Sequence, residues 1–172
     1  MTLPILLALL NATDPCAYLP EQDVRDIFAV PAGTPVRAVR SDSCSYLWMG
    51  LPPTAAQLRE ALMSGRRLPP RANESVSLRI ETFPNALKEL ESRYQLLTKG
   101  YTVDRDGQQL QVRPQKLEWV PNVGEKAYWI PSLSQLVVAR KGQLFSLVVK
   151  KQMASTDLIN TAATAAQAIL RR

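Results

Sequence analysis

The sequence predicts an α+β fold built on a mostly antiparallel sheet. Three stretches carry this expectation. Residues 119–150 hold two of the three Trp residues and the densest β-branched run, interrupted by Lys141-Gly142. Residues 75–82 alternate Val76, Leu78 and Ile80 with Ser77, Arg79 and Glu81, the period of a half-buried strand. Residues 84–99 and 154–171 repeat apolar positions at helical spacing.

The hairpin fixes its own register. With Lys141-Gly142 as a two-residue loop, Arg140 faces Gln143, Ala139 faces Leu144, Val138 faces Phe145 and Leu136 faces Leu147. One face then collects Leu136, Val138, Phe145, Leu147 and Val149. The other collects Val137, Ala139, Leu144, Ser146 and Val148, and a one-residue slip would exchange them. The first set is bulkier and is the expected core face. The second is also largely apolar and needs cover from this chain or from a partner. A three-residue loop with a bulge is the alternative connection.

Taken in order, residues 1–12 read as a hydrophobic signal-peptide remnant with a cut after Ala12. The run from Leu3 to Leu10 is too short to span a membrane. It has no basic n-region, and no lipobox precedes Cys16. The alternative is a buried N-terminal strand or helix. Residues 13–172 read as a single domain. The chain has two Cys residues, and in an exported chain an even count suggests one disulfide, here Cys16 with Cys44. The alternative is two unrelated buried thiols. Polar, turn-forming neighbours (Asp14-Pro15 and Ser41-Asp42-Ser43) favour the bridge.

Residues 20–28 read as a helix with Pro20 at its first position and Val24, Ile27 and Phe28 as its apolar stripe. A strand over 44–50 ends at Pro52-Pro53. A short helix over 54–64 has Thr54 and Gln57 as a capping box and Gly65 as its stop. A basic, Pro-rich loop follows. In the helix over 84–99, Leu87, Leu90, Tyr94 and Leu97 form the buried face, Glu89 pairs with Arg93, and Gly100 ends it. Residues 102–109 form a polar turn. Its Asp104-Arg105-Asp106-Gly107 resembles the start of a calcium loop but lacks the third acidic position and the distal Glu, so it reads as a hairpin turn. Residues 110–119, divided by Pro114, fit an edge strand or two short strands. Strands over 127–130, 136–140 and 144–150 complete the sheet. A last helix near 155–171 is capped by Ser155 or Thr156 and buries Leu158, Ala162, Ala166 and Ile169.

Composition narrows function by exclusion. The chain of 172 residues contains no His, which removes the usual general base and the commonest transition-metal ligand. No metal site and no cofactor are expected. The net charge of +6 comes from a chain using Arg twice as often as Lys. It reads as a basic surface, and nucleic acid is not the expected partner. The local cluster Arg59, Arg66, Arg67 and Arg71 is the candidate anion-binding site. Glu118 with Glu125, or Asp104 with Asp106, are the available carboxylate pairs, and nothing in the sequence brings either into a cleft. Trp119, Tyr128 and Trp129, with Val137, Leu144 and Val148 of the second hairpin face, are the candidate interface. Asn11 and Asn73 sit in glycosylation sequons.

The segments Asp14-Pro15-Cys16, Cys44-Ser45-Tyr46 with Trp48, and Val123-Gly124-Glu125-Lys126-Ala127-Tyr128-Trp129, followed by an apolar hairpin and an Ala-rich helix, resemble a signature of bacterial exported proteins and lipoproteins of unknown function. This chain departs from it at Asn122 and Glu125, where that signature has Gly and Asp. The resemblance implies a PsbP-like α/β sandwich, an extracytoplasmic location and the Cys16–Cys44 bridge. It supplies no catalytic residue. The functional expectation is a non-catalytic periplasmic or secreted module that binds a partner protein or small ligand of the envelope. The alternatives are a carboxylate-based enzyme, or a binder of anionic surfaces through the arginine cluster.

Overall fold

A computed structural model describes residues 14–65 and 72–172. The signal-like segment 1–12, with Asn11, and the residues Arg66, Arg67 and Arg71 lie outside the described residues. The elements run α1 (Pro15–Tyr18), α2 (Glu21–Ile27), β1 (Arg37–Arg40), β2 (Ser43–Met49), α3 (Ala55–Ser64), β3 (Asn73–Thr82), α4 (Ala86–Lys99), β4 (Tyr101–Arg105), β5 (Gln108–Val112), β6 (Glu118–Trp119), β7 (Lys126–Ile130), β8 (Gln135–Arg140), β9 (Gln143–Lys150) and α5 (Ser155–Leu170).

Seven strands form one sheet in the order β1-β2-β3-β9-β8-β7-β6. Every pairing in it is antiparallel. The α+β class holds, with helices packed on the sheet. The hairpin has the register expected from alternation: Arg140 pairs with Gln143, Ala139 with Leu144, Val138 with Phe145 and Leu136 with Leu147. Lys141 (φ 39°) and Gly142 (φ 81°) are both left-handed, as a two-residue primed turn requires.

Alternation divides the core into two layers. Cys44, Tyr46, Trp48, Val76, Leu78, Trp129, Leu136, Val138, Phe145, Leu147 and Val149 face α1, α2 and α5. In α5, Ala162 and Ala165 are fully buried, and their small side chains allow close approach to the sheet. Tyr128, Ile130, Val137, Ala139 and Leu144 face the other way and are covered by Ala86, Leu90, Leu87, Tyr94 and Leu97. That is the face whose cover the sequence left open. The cover is α4, and it extends over β7, β8 and β9.

The Cys16–Cys44 disulfide is present and pins α1 to β2. Asp14 Oδ1 accepts the Cys16 N–H at 2.9 Å, which fixes the start of α1. The capping box of α3 forms as read, with Gly65 at φ 63° closing the helix.

Several local expectations are corrected. Residues 110–119 take the second of their two expected forms, two short strands, but these do not share one sheet. β5 pairs with β4 as a separate two-stranded sheet, and only Glu118–Trp119 joins the main sheet. Pro114, which has no N–H to donate, falls in the gap between them. β1 was not anticipated, because Arg-Ala-Val-Arg is exposed along its whole length and shows no inward alternation. Pro20 is the N-cap of α2 rather than its first residue. Ala154 is the N-cap of α5 and no side chain caps it, so neither Ser155 nor Thr156 has that role.

Candidate binding site

The most site-like group of side chains lies at the β6 edge of the sheet. Trp119 pairs with Tyr128 across β6 and β7, which places both on the α4 side. Tyr94 comes up from α4 and stacks on Trp119, with ring centroids 4.1 Å apart and planes 20° from parallel. Tyr128 meets Trp119 and Tyr94 edge-on at 6.0 and 5.5 Å. Such pairs contribute about 0.5–1.5 kcal/mol each beyond area burial, so the indole is held rigidly. Lys126 Nζ lies 4.5 Å from the Trp119 ring centroid and forms a 2.7 Å ion pair with Glu91. Despite these contacts Trp119 remains 43% exposed.

The turn after Trp119 is equally constrained. Asn122 (φ 61°) and Gly124 (φ 62°) are left-handed. A Cβ on Gly124 would sit 2.5 Å from Val138 Cγ1 and 2.6 Å from the Ala139 carbonyl, so no larger residue fits. Glu125 Oε1 accepts the Lys141 N–H at 2.8 Å, tying the turn to the hairpin tip. Residues 119–127 line an open cavity of about 380 Å³. Its chemistry is an apolar indole beside a cation, with Glu125 already engaged. That arrangement suits recognition rather than proton transfer. Burial pushes the Tyr128 phenol up to about 12, with Arg93 opposing and Glu89 adding to the shift.

The six candidate interface residues separate. Tyr128, Trp129, Val137 and Leu144 are buried, and Val148 is half-buried. The four buried residues are core positions of this chain, covered by α4 or, for Trp129, by the α5 side. Of the six, Trp119 is the exposed one. The Trp129 indole N–H has no protein acceptor. Asp104 and Asp106 sit at an exposed turn, where Asp104 Oδ1 accepts the Gly107 N–H at 3.0 Å. Glu118 lies 3.9 Å from Lys116, while Glu125 holds the hairpin tip. Arg59 is exposed on α3.

Glu74 was missed. It is only 7% exposed and is the one buried charged residue among those described. Its Oε2 accepts the Trp48 indole N–H at 2.8 Å and lies 3.7 Å from Lys151 Nζ. The Gln152 N–H reaches Oε1 at 3.4 Å, and Lys151 Nζ also donates to the Phe28 carbonyl. Glu74 lies opposite Trp48 in the β2–β3 register. A sequence signal for this existed: Glu74 has the parity of Val76, Leu78 and Ile80, once the strand is started two residues earlier. A shallow cavity of about 310 Å³ opens beside it, lined by Asn73, Ser134, Lys151 and Gln152 among others. The carboxylate's acceptor capacity is directed at Trp48 and Lys151, so it acts as a structural clamp joining β2, β3 and the end of β9.

Comparison with protein-family models, with curated proteins and with solved structures gives no match.

Proposed function

We propose that this protein is a non-catalytic extracytoplasmic module that binds a partner protein or small ligand of the cell envelope, with Trp119 as its anchor. The observation that carries this reading is the rigid but exposed indole at the sheet edge. A free surface Trp would lose conformational entropy on binding. Trp119 has largely lost it already, through Tyr94 and Tyr128, which is the property of an interface anchor. The disulfide is compatible with an oxidising compartment. No helix among the described residues is long and apolar enough to cross a membrane. The PsbP-like relationship belongs to the same proposal and rests on the short motifs that flank the two Cys and the 123–129 turn.

Immobilised full-length protein exposed to envelope extract tests the anchor. Trp119→Ala is expected to lose the retained species while keeping the wild-type far-ultraviolet spectrum and melting temperature within a few degrees. Equal retention by Trp119→Ala, or reproducible retention of nothing by the wild type, would count against the proposal.

A further inference from the structure

α3 is a well-formed amphipathic helix turned the unusual way round. Its capping box and its left-handed Gly65 define both ends. Only Ala61 in it is buried. Successive helical residues turn by about 100°, so Arg59 and Met63 share a stripe on the side opposite Ala61, and Leu58 and Leu62 share the stripe next to it. Leu62 is 79% exposed and Met63 86%. Leu51, just ahead of Pro52-Pro53, is also exposed. α3 makes only sparse contacts with the rest of the fold. Large apolar side chains pointing into water from an otherwise complete helix mark an interaction surface.

Charge identifies the occupant. Arg59 lies within the apolar stripe, where its stem can lie along the neighbouring side chains while its guanidinium reaches outward. Between Leu51 and Asn73 the sequence contains four arginines and a single acidic residue, Glu60, in a chain of net charge +6. A second copy of the same face would bring two of these net-positive segments together. An anionic bilayer surface satisfies both the cation and the apolar side chains. We propose that α3 docks on anionic phospholipid, with Leu62 and Met63 entering the acyl boundary and Arg59 at the level of the phosphates. α3 leaves the sheet from β2, next to the β1 edge, whereas Trp119 lies on β6 at the other edge. The two surfaces are therefore separable.

The test is co-sedimentation of the full chain with vesicles of phosphatidylcholine containing an increasing share of phosphatidylglycerol. Retention is expected to rise with the phosphatidylglycerol share and to fall with added salt. Leu62→Ser combined with Met63→Ser should lower the bound fraction at least about tenfold, since both apolar groups leave the acyl boundary. Arg59→Gln should lower it about fivefold. Both variants should melt with the wild type, because the altered side chains are exposed, and Trp119→Ala should still bind. Equal retention by the double Ser variant overturns the proposal. So does retention on phosphatidylcholine alone that matches the mixed vesicles. Concentration-dependent dimerisation of the wild type, lost in the double variant and without vesicle binding, assigns the face to a second copy instead.

Discussion

Replacing both cysteines, Cys16→Ala with Cys44→Ala, removes a bridge between residues 28 apart in sequence. In the chain-entropy picture, closing a loop of that length restricts the unfolded chain by about 3.5 kcal/mol. The native side contributes in the same direction. Cys16 and Cys44 are both buried, and α1 has only four residues, too few to hold itself on β2. α2 would keep two other ties, the 2.7 Å ion pair of Asp23 with Arg172 and the Lys151 contact to the Phe28 carbonyl. The fold should therefore survive at reduced stability. For a chain of this size, that loss corresponds to a fall of about 10 °C in melting temperature. Thermal melts followed by circular dichroism, on oxidised wild type, reduced wild type and the double Ala variant, measure it. Reduced wild type and the variant should agree. A fall of less than about 2 °C would refute the reasoning, as would two free thiols titrated in native material.

Two further perturbations address the interior. Glu74→Leu strands the Trp48 indole N–H and leaves the Lys151 ammonium, still bonded to the Phe28 carbonyl, without its carboxylate, and should cost about 3 kcal/mol in urea denaturation. Glu74→Gln keeps an acceptor for Trp48 and should cost about 1 kcal/mol; equal losses for the two would show that charge, not hydrogen bonding, dominates there. Tyr128 ionises near 10 when unfolded but at about 12 in the fold, chiefly through burial. Its contribution is thus complete below pH 10 and is lost as pH rises from about 10 to 12, on the order of 2 kcal/mol. Denaturation midpoints at stepped alkaline pH should fall less steeply in Tyr128→Phe than in wild type. Part of the slope should remain, because burial also raises Tyr46. Identical slopes would contradict the assignment.

The sequence displayed its sheet where strands are apolar and joined by a short local turn. The β8–β9 register was readable because a two-residue loop at Lys141-Gly142 sets the pairing and puts the bulkier set, Leu136, Val138, Phe145, Leu147 and Val149, on one face. The cap and stop of α3 were readable because both are local chemistry: Thr54 bonds Gln57, and Gly65 turns left-handed. β1 was hidden because an exposed edge strand imposes no pattern on its side chains. The hairpin turn at Asp106-Gly107 was legible and is present, but nothing local shows that the two strands it joins, β4 and β5, pair only with each other and stay out of the main sheet. The site was legible in composition and not in burial. Trp119, Tyr128 and Trp129 attract attention equally in sequence, yet alternation sends Tyr128 under α4 and Trp129 to the α5 side, and leaves Trp119 exposed at the edge. Glu74 was obscured by its charge, although its parity with Val76 places it on the core face. The helical spacing makes Tyr94 a core residue of α4, and its second role as the platform under Trp119 depends on a contact between residues 25 apart that no local pattern encodes.

The central claim is that Trp119 is a pre-ordered anchor that becomes covered on binding. The chain offers a direct optical readout, because Trp48 and Trp129 are buried and Trp119 is the exposed indole of the three. Acrylamide quenching of the free protein should show one accessible indole, absent in Trp119→Phe. Adding the species retained from envelope extract should remove that accessible fraction and shift the emission to the blue. An accessible fraction that persists in the saturated complex would place the binding surface elsewhere and contradict the claim.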